Sequence, residues 1–154
     1  MDIHRGDLSQ ISPLETPVAL TIGNFDGVHR GHQFLIQGLI ENSRKLGVPS
    51  AVLCFDPHPG TVLGSGLEEL TRFEDKARLI ESLGVDHLVV QDFDSNFSQV
   101  SAEDFLRQYL QKFFDIKFLL VGYDFRYGSG GAGDFAGIKS FFSNQGVLFE
   151  DGRS

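Results

Sequence analysis

Two histidines, His29 and His32, stand three residues apart with Gly31 between them, in the run ALTIGNFDGVHRGHQFLI that begins at Ala19. An imidazole donates a hydrogen bond, gains charge near neutral pH, and moves a proton or ligates a metal when neutral. Ahead of the pair lies the apolar run VALTIG, and behind it lies a helical pattern, so the pair falls where a strand hands over to a helix. In open α/β sheets ligands lie beyond the carboxyl ends of the strands. A helix N-terminus adds free N–H groups and a partial positive charge. Gly23 is delivered to that edge, and Gly27 and Gly31 leave room for close backbone approach. Glycines, ring donors and dipole together describe a site for a polyphosphate. The plain alternative is a pair of histidines on a surface loop or capping a helix. A metal pair is a third option, without an evident third ligand. No Gly-Lys-Ser/Thr follows, which excludes a Walker A loop, and GNFDGVHRG lacks the spacing of a dinucleotide fingerprint.

The elements that must hold this site are legible around it. Five apolar runs, VALTIG, SAVLCF, HLVVQ, FLLVG and VLFED, alternate with helical patterns. Most are nearly continuous rather than alternating, as expected of strands covered on both faces of a parallel sheet. The first helix is expected over GHQFLIQGLIENSRKLG, ending at Gly47. The second spans TRFEDKARLIESLG, where Thr71 and Glu74 have capping-box spacing and Gly84 closes the pattern. A third, SAEDFLRQYLQKFF, opens on Ser101 with Glu103 and Asp104 behind it. The last candidate is DFAGIKSFFSNQG. This order predicts an open, doubly wound α/β domain of about five strands, a Rossmann-like architecture spanning residues 1–154. The apolar helix stripes are read as core and carry no function. The patch YGSGGAGD, residues 127–134, is so rich in glycine that a mobile loop is expected.

The 154 residues are one ordinary domain, with 41% hydrophobic residues and 15 phenylalanines but no tryptophan. A net charge of −8 argues against general binding to nucleic acid or to an anionic membrane, since both need clustered Lys and Arg. Cys54 is the single cysteine, so neither an internal disulfide nor a cysteine-based zinc site is possible. A reducing cytoplasm fits. The N-terminus MDIHRGDLSQISP lacks the pattern of a signal peptide, and no run approaches membrane-spanning length.

The tetrad His29-Arg30-Gly31-His32 resembles the H-x-G-H signature of the nucleotidyltransferase superfamily that includes class I aminoacyl-tRNA synthetases. The wider chain resembles one family within it, the FMN adenylyltransferase module of prokaryotic FAD synthetases. TIGNFDGVHRGHQ is similar to the start of that module. CFDPHP, Cys54 to Pro59, is similar to its F-x-P-H-P element. FDSNFSQVSAEDFL resembles its approach to the third helix, and LLVGYDFRYGSGGAGD resembles its V-G-x-(D/N)-F-x-F/Y-G loop. These four matches are collinear over residues 18–134. The resemblance implies adenylyl transfer from ATP to FMN, giving FAD and pyrophosphate with magnesium, in a protein that usually carries a riboflavin kinase module as well. It implies that His29 and His32 act on the ATP phosphates and the transition state. Gly23, Asn24, Phe25, Gly27 and Gly31 would shape the nucleotide side. Phe55, Pro57, His58, Pro59, Asp124, Phe125 and Arg126 would form the flavin side. Each has a bland counterpart: DPHP as a stiff strand exit, His58 and Asp124 as turn residues, Arg126 as a solvated loop charge. Asp26 is read as a turn residue or a neighbour of the site, and His4 and His87 as structural or exposed.

The sequence departs from the family pattern at its end. The I-S-S-T-x-x-R element expected after the fifth strand does not follow FEDGRS, and no kinase module is present in the 154 residues. The expectation is a truncated chain with a weakened phosphate clamp, its final strand frayed at an open edge or paired with another chain. Two alternatives stay open: a flavin- or nucleotide-binding module with little catalysis, and another small-molecule nucleotidyltransferase, against which FDPHP and GYDFRYG argue.

Overall fold

The computed structural model describes residues 1–25, 30–57, 73–122 and 124–152. Pro17–Ile22 (β2) forms the middle of a sheet because both its faces are apolar, and its last five residues are fully buried. It pairs in parallel with Ser50–Asp56 (β3) on one side and with Asp115–Val121 (β5) on the other. Beyond β3 lies His87–Asp92 (β4), then Asp2–Gly6 (β1) at one edge, and Leu148–Asp151 (β6) forms the other edge. All five pairings are parallel, in the order β1-β4-β3-β2-β5-β6.

The helices cover both faces. Arg30–Leu46 (α1) ends as the sequence requires, with Arg44 and Lys45 in its last turn and Gly47 at φ +69°. Val48 N–H reaches back to the Ser43 carbonyl at 3.0 Å, closing that end. Phe73–Ser82 (α2) carries Glu74 and Asp75 in its first turn. Thr71, the other half of the expected capping box, lies outside the described residues. Ser101 caps the third helix (α3) by accepting from Asp104 N–H at 3.1 Å. After Ala102–Asp104 this helix widens into a π-helical stretch, Phe105–Gln111. Asp134 caps Phe135–Phe141 (α4), accepting from Gly137 N–H at 2.9 Å.

Alternate residues along each strand feed two cores. Leu20, Leu53, Phe55 and Leu119 pack with α3 and α4, whereas Ala19, Val52, Cys54 and Leu120 pack with α1 and α2. This two-sided burial is why the strands read as continuous apolar runs. The doubly wound expectation holds, with six strands rather than about five. The additional one, β1, has the sequence DIHRG, and among the described residues it pairs with β4 alone. An edge strand with Ile3 half exposed needs no apolar run, so periodicity could not announce it. Strand β5 also starts earlier than FLLVG suggests. Its first residues alternate exposed and buried before the fully buried stretch begins.

From β2 the chain winds outward through α1 and β3, then through α2 to β4. It returns through α3 to lay β5 against the other side of β2. The carboxyl ends of β2 and β5 therefore flank the point where the winding reverses, where such sheets open a crevice.

Candidate active site

At that reversal a cavity of about 620 Å³ opens, within the size range of sites for small organic ligands. Gly23 and Asn24 form one side, at the exit of β2; Gly23 N–H still bonds the Leu53 carbonyl at 3.0 Å, extending the sheet. Asn24 follows with its side-chain oxygen buried and without a hydrogen-bond partner among the described residues.

Aromatic rings form the other walls. Phe55, near the end of β3, meets Phe93 edge-on at 6.1 Å and Phe97 at 5.8 Å between centroids. Phe105, in the π-helical turn, lies 6.1 Å from Phe97 and 5.6 Å from Tyr127. Phe125 stacks on Tyr127 at 5.8 Å with 23° between planes. Six rings around one space favour a flat, conjugated ligand. Burial, then the nearby Asp134 carboxylate, pushes the Tyr127 phenol above its ordinary value, so it stays a protonated donor at neutral pH.

The glycine patch closes the cavity. Tyr127 and Gly133 exchange two backbone hydrogen bonds, at 3.3 and 2.9 Å, which pin both ends of the turn. Ser129 N–H bonds the Val100 carbonyl at 2.7 Å, tying the turn to the start of α3. Gly128 makes this approach possible. Its φ is +79°, and a Cβ there would fall 2.6 Å from Ala102 backbone atoms.

Behind Asn24 the chain turns through Phe25, a non-glycine residue at φ +54° with its ring 1% exposed. That ring explains Gly23, whose added Cβ would lie 3.0 Å from it. It also supports His32: the two rings meet edge-on at 5.2 Å and 74°. His32 is half-buried in the first turn of α1, where the free backbone N–H groups are.

The structure thus gathers Gly23, Asn24, Phe55, Asp124, Phe125 and Arg126 around one cavity, as the sequence suggested. Phe25 and His32 stand behind the Asn24 corner rather than among the lining residues. Pro57 follows the last residue of β3. Gly31 lies in the first turn of α1. Asp26, Gly27, His29, His58 and Pro59 lie outside the described residues. Arg126 faces Asp134 at 3.6 Å while lining the cavity. Phe93, Phe97, Phe105 and Tyr127 were not singled out from sequence. The signal for the first two was available: they follow the carboxyl end of β4, at the ligand edge of the sheet. Phe105 was hidden in an ordinary helix stripe. Cys54 is fully buried, and burial pushes its thiol up to about 11, which leaves it chemically quiet. Among the described residues no cluster of three or more His, Cys, Asp or Glu side chains is placed to hold a metal, and no helix is long and apolar enough to cross a membrane.

A family model described as FAD synthetase matches residues 11–151. The chain is 45% identical over 139 residues to the bifunctional riboflavin kinase/FMN adenylyltransferase of Escherichia coli (strain K12), covering 88% of this chain and 44% of that protein. The similarly described protein of Haemophilus influenzae is 39% identical over 138 residues, covering 88% of this chain and 45% of its own length. The chain therefore spans less than half the length of these relatives. A solved structure described as a macrolide-efflux protein from Streptococcus pneumoniae superposes with a TM-score of 0.84 at 22% identity, over 98% of this chain and 51% of that one. At that identity the likeness carries the fold alone.

Proposed function

The chain belongs to the FAD synthetase family, and on that premise we propose that it transfers the adenylyl group of ATP to FMN, giving FAD and pyrophosphate. The observation that carries this reading is the ring-walled cavity at the winding reversal, with Gly23 and Asn24 at one side and the Phe25–His32 ring contact behind them. In this reading the isoalloxazine lies among Phe55, Phe97, Phe125 and Tyr127, Asp124 accepts its polar hydrogens, and Gly23 and Asn24 shape the nucleotide side. Pro57, His58 and Pro59 are assigned to the flavin by the family resemblance.

The FMN phosphate oxygen attacks the α-phosphorus of ATP. A new phosphoanhydride forms, the bond to the β-phosphate oxygen breaks, and pyrophosphate leaves. No protein nucleophile is required. Two anions must be brought together, so the work is positioning and charge stabilisation. His29 and His32 donate N–H to the transferring and leaving oxygens. Gly27, Gly31 and the start of α1 supply backbone N–H groups, and Arg126 is within the cavity to balance phosphate charge. Magnesium arrives with the triphosphate as part of the substrate. The relatives' names pair this activity with a riboflavin kinase, and the corresponding partner here is such a module supplying FMN. A cytoplasmic setting follows from the reading, because ATP and FMN must both be at hand.

The test is incubation with FMN, ATP and magnesium, followed by chromatography. FAD and pyrophosphate in equal amounts are expected. FMN binding without FAD would leave a flavin-binding module, and no effect of FMN on thermal stability would point to a different nucleotidyl acceptor.

A further inference from the structure

Lys76 is 4% exposed, in the first turn of α2. Both facts run against its chemistry. A buried ammonium loses its hydration, and a cation at a helix N-terminus meets the positive end of the dipole. Local preference would place Lys76 elsewhere, so a tertiary demand must hold it. The described residues show that demand: its Nζ donates to the backbone carbonyl of Asn24 at 3.1 Å, across 52 positions of sequence.

That carbonyl occupies a critical place. It belongs to the peptide leading into Phe25, whose φ of +54° is costly for a bulky residue and persists only where its surroundings over-determine it. The Phe25 ring is 1% exposed and carries the edge of the His32 ring at 5.2 Å. A continuous set of contacts therefore runs from the Lys76 ammonium, through the Asn24 carbonyl and the left-handed Phe25, to the His32 imidazole.

We propose that Lys76 is a positioning residue for adenylyl transfer: its buried ammonium fixes the Asn24 peptide and thereby holds the His32 ring at the start of α1. This inference rests on the adenylyl-transfer reading for its kinetic consequence, but its structural content stands apart from it.

The test uses the chain with ¹⁵N-labelled histidine and the variants Lys76→Met, which keeps the stem and removes the donor, and Lys76→Arg, which restores one. His32 ring resonances are assigned by their loss in His32→Gln. In Lys76→Met those resonances are expected to move, and in Lys76→Arg to return part-way, while those of His4 and His87, on the paired strands β1 and β4, stay in place. Thermal stability of Lys76→Met is expected to fall, because the Asn24 carbonyl loses its donor, and to recover part-way in Lys76→Arg. The kcat for FAD formation is expected to fall about tenfold or more, with KM for FMN changed less than about twofold. Unmoved His32 resonances in folded Lys76→Met would overturn the proposal, as would a fall in kcat matched by an equal rise in KM. Should Lys76→Met fail to fold, Lys76→Gln reads the same resonances. If the parent chain makes no FAD, the adenylyl-transfer reading fails, and the histidine spectra still decide the role of Lys76.

Discussion

Single side chains divide here into those that touch the cavity and those that hold something else in place. His32 belongs at the reacting phosphates in the proposed chemistry. His32→Ala is expected to lower kcat on the order of a hundredfold, while FMN affinity, measured by titration, changes little. Equal losses in rate and affinity would remove it from that role. Asp124 belongs on the flavin side. Asp124→Ala is expected to raise the FMN concentration needed for half-saturation about tenfold, the effect of one lost charge-assisted hydrogen bond; unchanged saturation would take it out of the site. Cys54 makes the opposite prediction. With its thiol buried and pushed up to about 11, it is expected to resist a thiol reagent in the native protein and to react on unfolding. The residue scale is also where sequence reading was strongest. Gly23, Asn24, Phe55, Asp124, Phe125 and Arg126 were legible because they follow strand ends in recognisable motifs, and all line one cavity. Lys76 and Phe105 were not legible, because each lies in a helical pattern whose sequence gives no sign of a long-range contact.

Among the elements, one junction holds the glycine turn at the cavity and another ties down an edge of the sheet. The first is the contact between the glycine turn and the N-terminus of α3. Gly128→Ala would force a Cβ against the Ala102 backbone at an unfavourable φ, and is expected to cost about 1–3 kcal/mol and to weaken FMN binding. Thermal unfolding and FMN titration of the variant check both effects. The glycine patch illustrates a limit of composition: glycine abundance suggested mobility, whereas here part of it serves close approach and a two-bond bridge. The second junction is the edge where β1 pairs with β4. His4 Nε2 lies 3.2 Å from His87 Nδ1, and Asp2 lies 3.9 Å from His87. Burial, then the His87 charge, lowers the His4 value below the ordinary imidazole range, with Asp2 opposing. The folded state therefore binds this proton less readily than the unfolded chain does. Stability should be fully present above about pH 6.5 and fall as acid is added below it. Melting temperatures across that range are expected to fall less steeply in His4→Gln; an unaltered slope would show that His4 contributes nothing. β1 itself escaped sequence reading because an edge strand of polar residues draws its order from its partner rather than from its own pattern.

As a whole, the molecule places its chemistry where the sheet reverses its winding, with one core including Phe55, Phe105 and Tyr127 of the ring-walled cavity and the other including Phe25 and the buried face of α1. The expected architecture was legible because continuous apolar strands and amphipathic helices alternate along the sequence, and only one edge needed the structure. β1 is the edge the apolar runs did not announce; β6, expected from VLFED, forms the other edge with Leu148 exposed. Asn24 joins the two halves: the residue lines the cavity and its carbonyl is held by Lys76. The whole account turns on the cavity being the flavin site. The most direct measurement is a crystal structure of the protein with FMN. The isoalloxazine should lie between Phe97, Phe125 and Tyr127, with its phosphate directed toward the start of α1. A flavin bound elsewhere on the molecule, with these rings left bare, would contradict the account.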